Sequence, residues 1–269
     1  MKIGAQTNRS SAISASNETT ILVRGRDLVQ ELVGSVSFTD HFWLLVTGQP
    51  PSAAQRRVLD ATLVAIAEHG LVPSVQVSRM TLAAAPEALQ GAVAAGILGC
   101  GSVVLGSSEA AGVFYSDIAR YSNDGAAAED AAMKVIEEYR GSRRAIPGYG
   151  HPLHKEADPR AVRLLQIAEE VGVAGQFVSI ARLVESLLPR VLGKPLALNV
   201  SGAIPAVLLD AGYPLQALKG VPILARTAGL IAHLLEEQQQ SIGFVMSHAA
   251  AGAIDYNGPA PAGFKRTDE

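Results

Sequence analysis

The chain has 269 residues, a formal net charge of −3 and a composition that is 48% hydrophobic, 17% charged and only 5% aromatic, with a single cysteine, Cys100. There is no basic footprint for nucleic acid, the hydrophobicity is too high for a disordered chain, and a lone cysteine can form neither an intrachain disulfide nor a thiolate metal cage. The length fits two domains, or one large domain with a smaller lobe, and the shortage of surface charge points to an oligomer.

The first 17 residues are polar and lack the apolar core of a signal peptide, so the expected location is cytoplasmic. A strand pair is expected near residues 10–24. A helix then opens after Ser37, with Phe38, Phe42, Leu45 and Val46 on one face, and stops near Gly48 before Pro50-Pro51. Ser52-Ala-Ala-Gln55 is a capping-box pattern, and the apolar set Val58, Leu59, Leu63, Val64, Ile66 and Ala67 carries that helix towards Gly70. A further helix is predicted after Pro86, reaching about Cys100. Residues 88–108 are long and weakly charged enough to raise a membrane span, but Gln90 and the many small residues fit a packed core helix, so no membrane is expected. Helices are predicted over 108–121 and 129–140. Residues 141–159 break the pattern with three Gly and three Pro. Asp158-Pro159 reads as an N-cap followed by an N1 proline, and that helix continues through Val162, Leu165, Ile167 and Ala168. Further helices are expected at about 175–188, 202–210, 215–220 and 221–239. The fold class is all-α.

The richest segment for chemistry runs from Arg143 to Arg160 and includes Gly148, Gly150, His151, His154, Lys155 and Glu156. Glycines allow close backbone approach to a ligand, and a helix N-terminus at Asp158 favours anions. The segment reads as a site for a carboxylate- or phosphate-bearing small molecule, or else as a solvated polar loop. His151 and His154 have no Cys or His-Glu-x-x-His pattern beside them, so no metal is expected. His69 reads by itself as a histidine at a helix C-terminus. Arg226, amid apolar neighbours, calls for an anionic partner, internally Asp210 or Glu236. His154, His233 and His248 read as structural or surface residues, and Cys100 as packing.

Gly148-Tyr-Gly-His151, followed nine residues later by Arg160 in Asp-Pro-Arg, resembles the signature of the citrate synthase superfamily. Asn199-Val-Ser-Gly202, Ile223-Leu-Ala-Arg226, Ala67-Glu-His69-Gly and Leu22-Val-Arg-Gly25 resemble further family segments in the same order, over roughly residues 20–258. The length is similar to that of stand-alone citryl-CoA lyases and of the citryl-CoA lyase domain of ATP-citrate lyase. The resemblance implies a large helical domain, 1–115 with 215–269, and a smaller helical lobe, 116–214, that closes over a cleft. It implies a homodimer or dimer of dimers, with coenzyme A as the acyl carrier and a dicarboxylate as the other small molecule. It further implies that His69 and His151 bind the carbonyl or hydroxyl end of an oxaloacetate-type substrate and that Arg160 and Arg226 clamp its carboxylates. The loop Ile146, Pro147, Gly148, Tyr149 and Gly150 would hold coenzyme A through backbone groups.

Two positions depart from the family pattern. Val104 stands where synthases carry a histidine that donates to the thioester oxygen and where lyase relatives can carry phenylalanine. Ser201 stands where the family has its catalytic aspartate, and a serine is a poor proton acceptor without a base. Losing a general base typically costs ~10²–10⁴ in rate, so ordinary citrate synthesis is not expected. The expectation is a carbon–carbon lyase that splits a carboxylated 3-hydroxyacyl-CoA such as citryl-CoA into an oxo acid and acetyl-CoA, with His151 as acid or base and Ser201 in the catalytic position. The alternatives are altered acyl-CoA chemistry such as thioester hydrolysis, or a non-catalytic subunit that binds coenzyme A and dicarboxylate.

Overall fold

A computed structural model of the protein describes residues 9–101, 103, 105–151 and 154–264. Val104 therefore lies outside the described residues. Among these there are eleven α-helices: α1 (Phe38–Thr47), α2 (Ala53–Ala67), α3 (Pro73–Ala84), α4 (Leu89–Leu98), α5 (Ser107–Asn123), α6 (Ala128–Gly141), α7 (Pro159–Glu170), α8 (Gln176–Leu192), α9 (Val200–Asp210), α10 (Gly220–Gln239) and α11 (Gly243–Gly252). The expected all-α class is correct. The only sheet among the described residues is a small antiparallel one of β1 (Ser14–Ser16), β2 (Ile21–Val23) and β3 (Arg26–Asp27).

The chain packs as two compact units. One comprises the chain up to Leu63 together with Ser107–Lys219, and the other Val64–Gly106 together with the chain from Gly220 onwards. This partition groups the N-terminal segment with 107–219. Its cause is visible in two ties: Gln55 Nε2 donates to Ala211 O at 2.8 Å, and the Trp43 ring meets Tyr213 edge-on at 5.4 Å between centroids.

In the first unit, Ser14 pairs with Val23 and Leu22 with Asp27. Arg24, in the left-handed region at φ 50°, turns the chain between β2 and β3, and its guanidinium donates to Leu45 O through Nε at 2.9 Å and Nη2 at 2.6 Å. The α1 start is the expected one. Ser37 Oγ accepts from Asp40 N, and the Asp40 carboxylate accepts from Ser37 N. Its buried side is Thr39, Trp43 and Leu44, whereas Phe38 is 68% exposed. Of the expected face, Phe42, Leu45 and Val46 are half-buried, with Leu45 packed against the cluster of Val23, Leu32 and Leu44, and only Phe38 points outward, because Trp43 and Leu44 take the deepest positions. The Ser52–Gln55 capping box forms as expected. Helices α5 to α9 pack together, with Phe114, Ile118, Ile136, Val184 and Leu208 fully buried.

The second unit is built on α3, α4, α10 and α11. Helices α3 and α11 were not expected. In α3 the apolar positions are interrupted by buried polar residues, Ser74, Ser78 and Arg79. Arg79, 2% exposed, donates through Nε to Glu237 at 2.6 Å, through Nη1 to Glu236 at 2.5 Å and through Nη2 to Gln240 O. Glu237 in turn accepts from Ser241 Oγ, Ile242 N and Gly243 N, so one buried ion pair holds the α10–α11 corner onto α3. Residues 88–108 are not one long helix, since α4 has ten residues. A different stretch, Leu215–Gln239, is long and apolar enough by length and composition to cross a membrane. It packs Val221, Ala225, Leu230 and Leu234 into the core and also buries Arg226 and Glu237.

Candidate active site

The residues singled out by sequence fall into two groups, one in each unit. In the first unit the segment 146–150 lies beside the start of α9. Gly148 and Gly150 have φ of 88° and 80°, which an L side chain resists. A Cβ on Gly148 would sit 2.7 Å from Gly202 Cα, and one on Gly202 2.6 Å from Gly148 O, so neither position admits a side chain. Backbone bonds fix this crossing: Gly150 N donates to Ala197 O at 2.7 Å, Asn199 N to Gly148 O at 2.9 Å, and Asn199 Nδ2 to Gly150 O at 2.6 Å. Gly148 O and both backbone groups of Gly150 are used within the protein, which leaves Ile146, Pro147, Tyr149 and the Gly148 N–H as the loop backbone a ligand could meet.

Tyr149 is anchored from below. Tyr115 OH donates to Tyr149 OH at 3.1 Å, and Tyr149 OH donates to Ala181 O at 2.9 Å. Burial pushes both phenols well above their ordinary range, so both remain neutral donors.

Asp158 organises the opposite side. It caps α7 by accepting from Arg160 N, and its carboxylate takes Arg160 Nε at 3.0 Å on Oδ1 and Nη2 at 2.9 Å on Oδ2. Val200 N also donates to Oδ2, at 2.9 Å. Burial opposes the charge of Asp158, but the Arg160 fork and the Val200 N–H outweigh it and hold the carboxyl below its usual range. Arg160 therefore sits where sequence placed it, with one edge of its fork committed to Asp158.

Ser201, half-buried, is the second residue of α9, next to Val200. The N-cap Asn199 accepts from Gly202 N. The Ser201 hydroxyl takes no hydrogen-bond partner among the described residues. His151 and His154 stack at 4.6 Å between ring centroids, and His151 Nδ1 accepts from His154 N at 3.1 Å. In the neutral ring the proton of His151 therefore lies on Nε2, which makes that atom a donor.

In the second unit, His69 follows the end of α2. Its neighbour Glu68 accepts from the backbone N–H of His69 and Gly70 on one oxygen and meets His233 Nε2 at 2.9 Å with the other. Burial works against the Glu68 charge, but these bonds, His233 first, hold its carboxyl below the usual range. His233, read from sequence as structural or surface, is the side chain that braces the turn carrying His69. Arg226, on α10, is 3% exposed, and its Nε and Nη1 have no partner among the described residues. The internal partners expected for it are engaged elsewhere. Asp210 accepts from Gly175 N, Phe177 N and Val178 N at the start of α8, and Glu236 pairs with Arg79.

The structure thus gathers His151, Arg160, Ser201 and the 146–150 loop in the first unit and places His69 and Arg226 in the second. Sequence reasoning did not single out Asp158 beyond its capping role, nor the Tyr115–Tyr149 pair. The Asp-Pro-Arg spacing does carry the first, because a cap carboxylate two residues before an arginine can meet its fork. No local signal marks the second.

Helix-dominated packing and these segments define a member of one enzyme family. The family model for the citrate synthase C-terminal domain matches residues 24–243, and the chain belongs to the citrate synthase family. Among solved structures it is similar to the citryl-CoA lyase of Hydrogenobacter thermophilus, at 32% identity over 95% of this chain and 97% of that one, with a TM-score of 0.83. ATP citrate lyase of Methanosaeta concilii, solved with (3S)-citryl-CoA, shares the fold at 21% identity and a TM-score of 0.75, over 96% of this chain and 43% of that one. The citrate synthase of Heyndrickxia coagulans is 24% identical over 77% of this chain and 54% of that protein. The chain spans about half the length of the curated relatives it matches.

Proposed function

We propose that the protein is a carbon–carbon lyase that splits a carboxylated 3-hydroxyacyl-CoA, such as citryl-CoA, into an oxo acid and acetyl-CoA. The observation that carries this reading is Arg226, a buried guanidinium with two nitrogens unpartnered among the described residues. A buried charge left in that state needs an anion from outside, and a substrate carboxylate matches its fork. Similarity to a citryl-CoA lyase over nearly the whole of both chains supports the choice of reaction.

In this reading Arg226 and the uncommitted edge of Arg160 hold carboxylates, with His69 at the same end of the substrate. His151 donates from Nε2 to the substrate's hydroxyl oxygen and, after cleavage, to the carbonyl oxygen it becomes. The hydroxyl proton leaves to water, the carbon–carbon bond breaks, and its electron pair becomes the acetyl-CoA enolate, which takes a proton to give the methyl group. The Ser201 N–H at the start of α9, whose neighbours Val200 N and Gly202 N are used within the protein, stabilises the enolate oxygen. Coenzyme A lies along the loop Ile146, Pro147, Gly148, Tyr149 and Gly150, and no metal takes part. We take residues 116–214 as the lobe that closes over 1–115 and 215–269, in a cytoplasmic homodimer or dimer of dimers.

The direct test mixes purified protein with citryl-CoA and follows oxaloacetate with a coupled reductase. Turnover that falls in both Arg160→Ala and Arg226→Ala is expected. Absence of oxaloacetate with undiminished coenzyme A binding would overturn the lyase reading in favour of a binding subunit. Thioester hydrolysis predicts free coenzyme A without oxaloacetate. It is the weaker alternative, because the Ser201 hydroxyl has no activating partner among the described residues.

A further inference from the structure

Ser74 is the second residue of α3, following Pro73. It is 2% exposed, and its hydroxyl has no hydrogen-bond partner among the described residues. A hydroxyl in a helix commonly bonds back to the carbonyl four residues earlier, as Thr62, Thr81 and Ser116 do in this protein. Near a helix start it serves instead as a cap. Ser74 does neither, and the preceding Val72 gives α3 no side-chain cap. Val75 N and Gln76 N donate to Val72 O and Pro73 has no N–H, so the first turn of α3 offers the Ser74 N–H and an unpaired hydroxyl, with the positive end of the helix dipole behind them.

The surroundings of this turn connect it to Arg226. A Cβ on Gly96 would lie 2.8 Å from Ser74 O and 2.7 Å from Leu230 Cδ1, so the start of α3, the end of α4 and the middle of α10 meet at this glycine. Leu230 is one turn beyond Arg226 on α10, and Cys100, which donates to Gly96 O, feels the Arg226 charge. Burial nevertheless raises the Cys100 thiol above its ordinary range, so it stays neutral and supplies no counter-ion. One helix junction thus holds two buried polar side chains without partners, a hydroxyl and a guanidinium. Both are hydrogen-bond donors, and no carboxylate among the described residues is spent on either.

We propose that Ser74 and the first turn of α3 form, with Arg226, a single pocket for one carboxylate of the substrate, in which Ser74 Oγ donates to the oxygen that the arginine leaves free. This rests on the reading of Arg226 as a carboxylate clamp and adds a specificity-determining residue to it. The pocket selects a carboxylate over an amide or ester at this end of the substrate, because an NH₂ group facing these donors would meet no acceptor.

The test compares Ser74→Ala, Ser74→Thr and Arg226→Ala by thermal melting without ligand and by calorimetric titration with oxaloacetate and citrate. A buried unsatisfied hydroxyl costs stability, so Ser74→Ala should melt at or above the parent temperature while binding dicarboxylate about tenfold more weakly or worse. A merely structural serine would move both quantities together. Ser74→Thr, which keeps the hydroxyl, should restore most of the affinity, and in turnover assays Ser74→Ala should raise KM more than it lowers kcat. If Arg226→Ala weakens oxaloacetate binding but Ser74→Ala leaves it unchanged, the shared pocket is overturned and the clamp stands. If neither substitution alters binding, the clamp itself fails.

Discussion

Asp158 and Arg160, two residues apart in sequence, face each other fork to fork, with Nε to Oδ1 at 3.0 Å and Nη2 to Oδ2 at 2.9 Å. The same carboxylate receives Val200 N, and so ties the start of α7 to the start of α9. One side chain therefore sets the orientation of the candidate substrate arginine and the position of the residue before Ser201. Asp158→Asn leaves a neutral group with one acceptor oxygen against four donors, two from the Arg160 side chain and two from the backbone of Arg160 and Val200. Breaking a buried pair by removing one partner costs about 3–5 kcal/mol, and Arg160 is partly exposed, so a loss near the lower figure is expected in urea unfolding. A loss below about 1 kcal/mol would place the pair with ordinary surface ion pairs.

The acid sensitivity of the fold follows from the same group and from Glu237. Burial opposes both charges, but hydrogen bonds from Arg160 and Val200 in one case, and from Arg79, Ser241 and Gly243 in the other, hold both carboxyls below their ordinary values. A depressed folded value means the stabilisation is complete above the unfolded pKa, near 4, and is lost as pH falls through the lower folded value. Thermal melts should be flat in this contribution from about pH 7 to 5 and decline below about pH 4. The decline should be shallower in Asp158→Asn. Equal steepness in parent and variant would remove Asp158 from this account.

The crossing of Gly148 and Gly202 admits no side chain. Gly202→Ala would press a methyl group against Gly148 O at 2.6 Å and the Tyr115 hydroxyl at 2.9 Å. Overpacking of this kind costs about 1–3 kcal/mol, and the movement it forces displaces the loop assigned to coenzyme A. The expected result is lower stability together with weaker coenzyme A binding in calorimetry. Gly148→Ala should cost more, because it adds a φ of 88° to the clash.

In the second unit, Arg79→Met should destabilise by about 3 kcal/mol or more, because it leaves the Glu237 carboxylate buried without its cation. The double variant Arg79→Met with Glu237→Gln should recover part of the loss in chemical denaturation. A double variant no more stable than the single one would show that Glu237 is satisfied by Ser241, Ile242 and Gly243 alone.

Much of the architecture was legible from local chemistry. Ser37 and Ser52 announce their capping boxes, Asp158-Pro159 announces α7, and glycines stop α1 and break the chain at 148 and 150. These are decisions made within a turn or two of backbone, so neighbouring residues carry them. The candidate residues His151, Arg160, Ser201 and Arg226 were legible as types at given spacings.

Their states were decided by residues far away in sequence. Glu68 is met by His233, Tyr149 is held by Tyr115 and Ala181, and Arg79 is neutralised by Glu236 and Glu237. The orientation of α1 depends on the packing of Trp43 against Tyr213, and the unpaired state of Arg226 depends on Asp210 and Glu236 being used elsewhere. By itself the sequence determined where helices begin and end and which side chains carry chemistry, because caps, glycines and periodicity act over short range. Tertiary structure alone decided which of those side chains are satisfied and which are left without a partner among the described residues, because hydrogen bonding and burial are settled only when distant segments compete for the same donors and acceptors.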